Sequence, residues 1–153
     1  MRFHQVKELV RWAADYHGRL EAAYTGLAGD AGDRERMALE YLADHERRMQ
    51  AELEAYFGDG DDHRRVLETW FDDPADFPHP PVLERFPASL PEGGVEALLS
   101  LALTQHRTLQ DLYRHRAEQA VGREERDFFE ALVQGEDAEV RRLARDMQRL
   151  EAY

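Results

Sequence analysis

Residues 6–27 read Val6-Lys7-Glu8-Leu9-Val10-Arg11-Trp12-Ala13-Ala14-Asp15-Tyr16-His17-Gly18-Arg19-Leu20-Glu21-Ala22-Ala23-Tyr24-Thr25-Gly26-Leu27. Val6, Val10, Ala13, Leu20, Tyr24 and Leu27 recur at steps of three, four or seven, which lays one apolar stripe along a helix. The stretch decides the fold because it occurs twice. A shift of 89 residues sets Val6 on Val95, Leu9 on Leu98, Ala13 on Ala102, His17 on His106, Leu20 on Leu109, Tyr24 on Tyr113 and Ala28 on Ala117. A shift of 90 then brings Leu42 onto Leu132, Glu46 onto Glu136 and Leu53 onto Leu143. Any two amphipathic helices share Leu and Ala registers, so the His and Tyr matches carry the argument for a duplicated hairpin with one residue gained in its turn.

Worked outward, the pattern predicts four long helices at about 3–28, 33–57, 94–121 and 123–151. Asp33 is the expected cap of the second, with Met37, Tyr41 or Leu42, Met49, Leu53 and Tyr56 facing inward. The fourth turns Phe128 or Phe129, Leu132, Val140, Leu143, Met147 and Leu150 inward. All six prolines (Pro74, Pro78, Pro80, Pro81, Pro87 and Pro91) fall in the connector 58–93, which carries one short helical stretch, about Asp62 to Phe71, with Val66, Leu67 and Trp70. No strand-like alternation is present. The expectation is a single all-α domain over residues 1–153, a four-helix bundle of two hairpins with a long Pro-rich crossover.

Composition narrows the function. Against 32 Asp and Glu stand 20 Lys and Arg, and a net charge of -12 repels phosphate backbones and anionic lipid, so neither nucleic acid nor membrane is an expected partner. No cysteine is present, which removes disulfides, thiolate metal sites and thiol nucleophiles together and suits a reducing compartment. The charged N-terminus does not develop the apolar run of a secretory signal, so the expected location is cytoplasmic. The connector aromatics Trp70, Phe71, Phe77 and Phe86 either pack on their own bundle or form a homodimer interface.

The candidate site is where the apolar seams are interrupted. His17 and His106 sit mid-stripe on the first and third helices. His45 and Glu46 lie at the middle of the second, with Asp44 further out, and Glu136 and Glu139 share a face at the middle of the fourth. In a bundle of similar helix lengths the four interruptions should meet at one height. Buried there as isolated ions, each carboxylate would cost several kcal/mol, so imidazolium, Arg, protonation or a metal must neutralise it. Other polar residues read as solvated. Glu35, Glu40, Glu52, Glu54, Glu118, Glu124 and Glu125 alternate with Arg on outward faces. Asp59-Gly60-Asp61-Asp62 reads as a turn before a helix, and His63, His79 and His115 as loop or exposed positions.

In these features the chain resembles the ferritin-like superfamily, most of all its rubrerythrin-type branch, over about residues 3–57 and 93–150. In that family the first and third helices each supply a Glu and the second and fourth each supply Glu-x-x-His, which together hold two iron or manganese ions. Leu42-Ala43-Asp44-His45-Glu46-Arg47-Arg48-Met49 is similar to the second-helix motif, with Glu46 matched and Met49 where the His belongs. Leu132-Val133-Gln134-Gly135-Glu136-Asp137-Ala138-Glu139 is similar to the fourth-helix motif, with Glu136 matched and Glu139 in the His place. His17 and His106 stand where that family has Glu, each seven residues before a tyrosine, Tyr24 or Tyr113.

Neither Glu-x-x-His motif is intact, and a thioether is a poor ligand for hard divalent iron or manganese. The resemblance therefore implies a bundle degenerate relative to the di-iron carboxylate proteins. It would act without metal as a binding or assembly module, with His17 and His106 paired to Glu46 and Glu136 and no cofactor required. The alternative is a metal-binding protein, possessing an oxidoreductase-like chemistry if it turns over, with Fe, Mn or Zn held by His17, Glu46, His106, Glu136 and Glu139. No catalytic residue and no small-molecule substrate is identifiable. No histidine has another three or four residues away, against a hemerythrin-like carrier, and no Gly-x-Ser-x-Gly elbow or glycine-rich phosphate loop occurs.

Overall fold

Gln5 and Glu8 start the first helix. The Glu8 carboxylate accepts from the backbone N–H of Gln5 at 2.5 Å and of His4 at 2.7 Å, closing a capping box at the start of α1 (Val6–Ala28). These bonds, that to Gln5 foremost, hold the Glu8 carboxyl below its usual range. At the far end Arg36, in the first turns of α2 (Asp33–Gly58), donates to the carbonyls of Ala28 and Ala31 at 3.2 and 3.0 Å. The carbonyls at the α1 terminus thereby gain a donor, and the chain reverses within four residues.

The computed structural model describes residues 3–58, 62–72 and 81–151, with α3 (Arg64–Leu67), α4 (Gly94–Gln119) and α5 (Arg123–Glu151) following the first hairpin. Its described residues are all-helical apart from turns and one isolated bridge between Gln5 and Trp70. No helix among them is long and apolar enough to cross a membrane. By packing, the chain divides into two units: Met1–His79 with Phe86–Ser89, and Pro80–Arg85 with Leu90–Tyr153.

The first unit is the α1–α2 hairpin. Leu9, Val10, Leu20, Leu39, Leu42 and Leu53 are buried in its core, and Gly18 leaves room for the Gln50 side chain, whose Nε2 would stand 2.7 Å from a β-carbon there. The expected connector helix is a single turn, α3. Residues after it leave the helix because they pair with the chain start instead: Val6 N–H donates to Thr69 O at 3.0 Å and Phe71 N–H to His4 O at 2.8 Å. Val66, Leu67 and Phe71 are buried, whereas Trp70 is 68% exposed, so of the connector aromatics Phe71 packs on its own hairpin and Trp70 does not. Phe86 lies against Tyr16 and under the Arg19 guanidinium, at 5.6 and 4.1 Å between centres.

The second unit is the α4–α5 hairpin, with Leu98, Leu99, Leu109, Leu112, Phe129 and Leu143 at its core. Gly94 opens α4 at φ +65°, a backbone conformation that favours glycine. A 3-10 turn over Pro81–Glu84 buries Leu83 and is tied to α4 by Gln105, whose amide donates to Arg85 O at 2.7 Å and Val82 O at 3.3 Å.

Three sequence expectations are corrected. Met37 is 43% exposed because the inward stripe of α2 runs through Ala38, Leu39, Leu42 and Glu46 and leaves it one position off. Glu125 is buried, not solvated; it occupies the first turn of α5, where the helix dipole favours an acid. His115 is half-buried within α4, not a loop or exposed position; His63 lies in the turn before α3, as expected, half-buried against Tyr56. The expectations for Asp59, Gly60, Asp61, Pro74, Phe77, Pro78, His79, Pro80 and the Leu150 side chain lie outside the described residues.

Candidate functional site

Each hairpin buries one imidazole against one carboxylate, and each does so with the same two atoms. In the first, His17 Nδ1 lies 2.5 Å from Glu46 Oε2; in the second, His106 Nδ1 lies 3.1 Å from Glu136 Oε2. The four side chains are 0–2% exposed. Their sequence separations are 29 and 30 residues; the residue gained does not lengthen the second turn, 120–122 against 29–32, but is taken up in the end of α4, and it changes the count and not the contact. His17 reaches the interior because it follows Ala13 and precedes Leu20 on the α1 stripe, and Glu46 because it lies between Leu42 and Met49 on α2. The sequence left open which carboxylate meets which imidazole; within each hairpin the partner is the one across the turn.

A second matched contact flanks the first. Glu21 accepts from Arg47 Nε at 3.0 Å, and at the corresponding positions of the other hairpin Gln110 donates to Asp137 Oδ1 at 3.2 Å. The same positions meet with different charge, which is what two diverged copies of one hairpin would show.

Around these pairs the hairpins differ. Met49, buried in the first, corresponds to Glu139 in the second, also buried, with Arg142 Nη1 at 3.5 Å from its carboxylate. His45 is buried but directed to the flank, where Arg48 Nη2 lies 3.3 Å from its Nδ1 and Tyr41 stacks on its ring. Tyr16, before His17, corresponds to Gln105, before His106; both are buried and both hold connector residues of their own unit. Sequence reading passed over Gln105, although a polar residue beside a mid-stripe histidine was the signal.

Tyr24 lies two turns further along α1 than His17, beyond Leu20. It is 1% exposed, and its hydroxyl meets no hydrogen-bond partner among the described residues. Burial first, then the negative charge of Glu46 and the neighbouring Tyr16, pushes its ionisation well above the ordinary phenol range. The hydroxyl is therefore a neutral donor in the neighbourhood of a buried carboxylate.

The donors present are imidazole nitrogens and carboxylate oxygens, which suit iron, manganese or zinc and do not favour soft ions. Two donors on one such ion, each at about 2.0–2.2 Å and near a right angle, stand roughly 3 Å apart. The pair in the second hairpin has that spacing. The pair in the first is at proton-sharing distance, so a metal would take the place of the shared proton. The donor set fits a divalent transition metal. In comparison with known proteins, no family model, no curated protein and no solved structure matches the chain.

Proposed function

We propose that this chain is a ferritin-like bundle protein whose two His–carboxylate pairs bind a divalent transition metal, iron, manganese or zinc. The observation that carries the reading is the repetition of one buried Nδ1···Oε2 contact in both hairpins. His17 and Glu46 from one hairpin and His106 and Glu136 from the other are the proposed ligands, with Glu139 as a further carboxylate in exchange for its contact to Arg142. The buried Tyr24 hydroxyl supports the reading, since a layer made only of paired side chains leaves it costly and idle. A bound iron or manganese would supply one-electron chemistry and a bound zinc Lewis acidity. His17 and His106 would then exchange a proton for the ion, so binding weakens as pH falls. The absence of cysteine supports a reducing compartment, the cytoplasm.

Metal content tests this. Protein from growth in iron-, manganese- and zinc-supplemented medium is expected to carry at least one ion per chain. Folded His17→Ala/His106→Ala and Glu46→Gln/Glu136→Gln variants are expected to lose it. Substoichiometric metal that both variants retain overturns the reading.

The second reading is a metal-free assembly module in which the pairs are buried hydrogen bonds and a homodimer forms through Trp70. The exposure of that indole favours it. A monomer by size-exclusion mass at micromolar concentration excludes the dimer.

A further inference from the structure

We propose that a cleft on the first hairpin, walled by Lys7 and Arg11 of α1, Tyr56 and Phe57 of α2, and Arg64 with Leu67 of α3, binds a small organic anion. Its chemical class is a single flat apolar ring bearing one phosphate or carboxylate. The inference is independent of the metal layer.

The charge of the cleft runs against that of the chain. Three cations and one carboxylate, Glu68, line it in a protein of net charge -12. Glu68 is answered by Arg64, Oε1 to Nε at 3.3 Å, which leaves the two α1 cations in excess. Lys7 is half-buried and makes no ion pair among the described residues. The Arg11 guanidinium lies over the Phe57 ring at 4.9 Å from its centre, which fixes its plane while its N–H edge stays available to an acid group.

The rest of the lining is apolar. Leu67 is buried at its floor, Phe57 is half-buried, and the half-buried Tyr56 ring is held edge-on to His63 at 4.8 Å. An inorganic ion would use the charges and leave that wall wet; an anion carrying a ring would use both. The cavity measures about 250 Å³. Drug-sized ligands occupy roughly 300–1,000 Å³, so one ring with one acidic group is the size that fits.

The walls are braced by the chain's own hydrogen bonds. The α3 segment is bonded to the start of α1 by Val6 N–H to Thr69 O, by Phe71 N–H to His4 O and by Gln5 Nε2 to Glu68 O at 3.2 Å. These bonds hold Arg64 and Leu67 across from Lys7 and Arg11, so little ordering remains to oppose binding.

The test is an amide NMR titration of the full chain with phenyl phosphate and with benzoate as probes, and with inorganic phosphate and benzyl alcohol as controls. Saturable shifts at Lys7, Arg11 and Leu67, with half-saturation at roughly millimolar probe or below, are expected for at least one of the two anions. The preferred probe identifies the acid group as phosphate or carboxylate. Lys7→Gln/Arg11→Gln, exposed and half-buried changes that leave the core intact, should weaken that binding at least tenfold. Arg114→Gln/Arg126→Gln, the same charge change on the other hairpin, should leave it unaltered. Three results overturn the proposal: no saturable shift with either anion, inorganic phosphate or benzyl alcohol binding as tightly as the preferred probe, or equal weakening by the two double variants.

Discussion

Replacing His17 by Ala while Glu46 remains is the most searching perturbation of the polar layer. Both side chains are fully buried and joined by one short contact. Removing the imidazole leaves a buried carboxylate without its partner, a change that costs about 3–5 kcal/mol in comparable buried pairs. Spread over a chain of 153 residues, at about 2–4 °C per kcal/mol, the melting temperature should drop by roughly 6–20 °C. Glu46→Gln keeps the shape and one hydrogen bond and removes the charge, so its cost should be nearer about 1–2 kcal/mol. His17→Leu/Glu46→Leu replaces the pair with apolar groups and should lie close to wild type, because neither desolvated charge remains. The same order is expected for His106 and Glu136. Thermal melts followed by circular dichroism, with chelator present, read all of these. A His17→Ala loss below about 1 kcal/mol, or a His17→Leu/Glu46→Leu loss equal to the sum of the His17→Leu and Glu46→Leu losses, would refute the account of the pair as a coupled unit.

Three further outcomes follow from particular residues. Tyr24→Phe should stabilise the metal-free protein by about 1 kcal/mol at neutral pH, since it removes a buried hydroxyl lacking a partner. The wild-type phenol keeps its proton in the fold where the unfolded chain gives it up. Its share of stability is therefore full below about pH 10 and falls as pH rises beyond; denaturation at stepped alkaline pH should show a shallower fall for the Phe variant. Gly94→Ala should cost about 1–2 kcal/mol for its left-handed backbone, while Gly122→Ala, where a β-carbon meets nothing within 4 Å, should be near neutral in the same melts. Gln105→Leu strips the side-chain donor from two carbonyls of the 3-10 turn, and amide hydrogen exchange over residues 83–86 should quicken; unchanged exchange there would show that Gln105 does not secure the turn.

The long helices were legible because their apolar residues keep a strict period, and His17 and His106 were legible because each breaks it at the same place. The pairing of the two imidazoles was not, since sequence distance does not say which of several mid-helix carboxylates lies across the turn. Met37 misled for a related reason: one position of offset on a helix is a rotation of about 100°, enough to move a side chain from core to solvent. The short connector helix was over-extended because residues 69–71 spend their backbone bonds on the chain start, a contact 63–67 positions away. The cationic cleft was invisible for the same reason, with Lys7 and Arg11 one helical turn apart but Arg64 delivered by that distant pairing.

The near-equal spans between each imidazole and its carboxylate also bear on how the chain folds. A polar layer whose partners were scattered along the chain would form only after the slow search for distant contacts. Here each pair closes across its own short loop, so half of the layer is laid down with each nascent pair of helices, before mispairing has the opportunity to arise. Once the first hairpin has folded, His17 already meets Glu46, and the second hairpin need only repeat the exercise with His106 and Glu136.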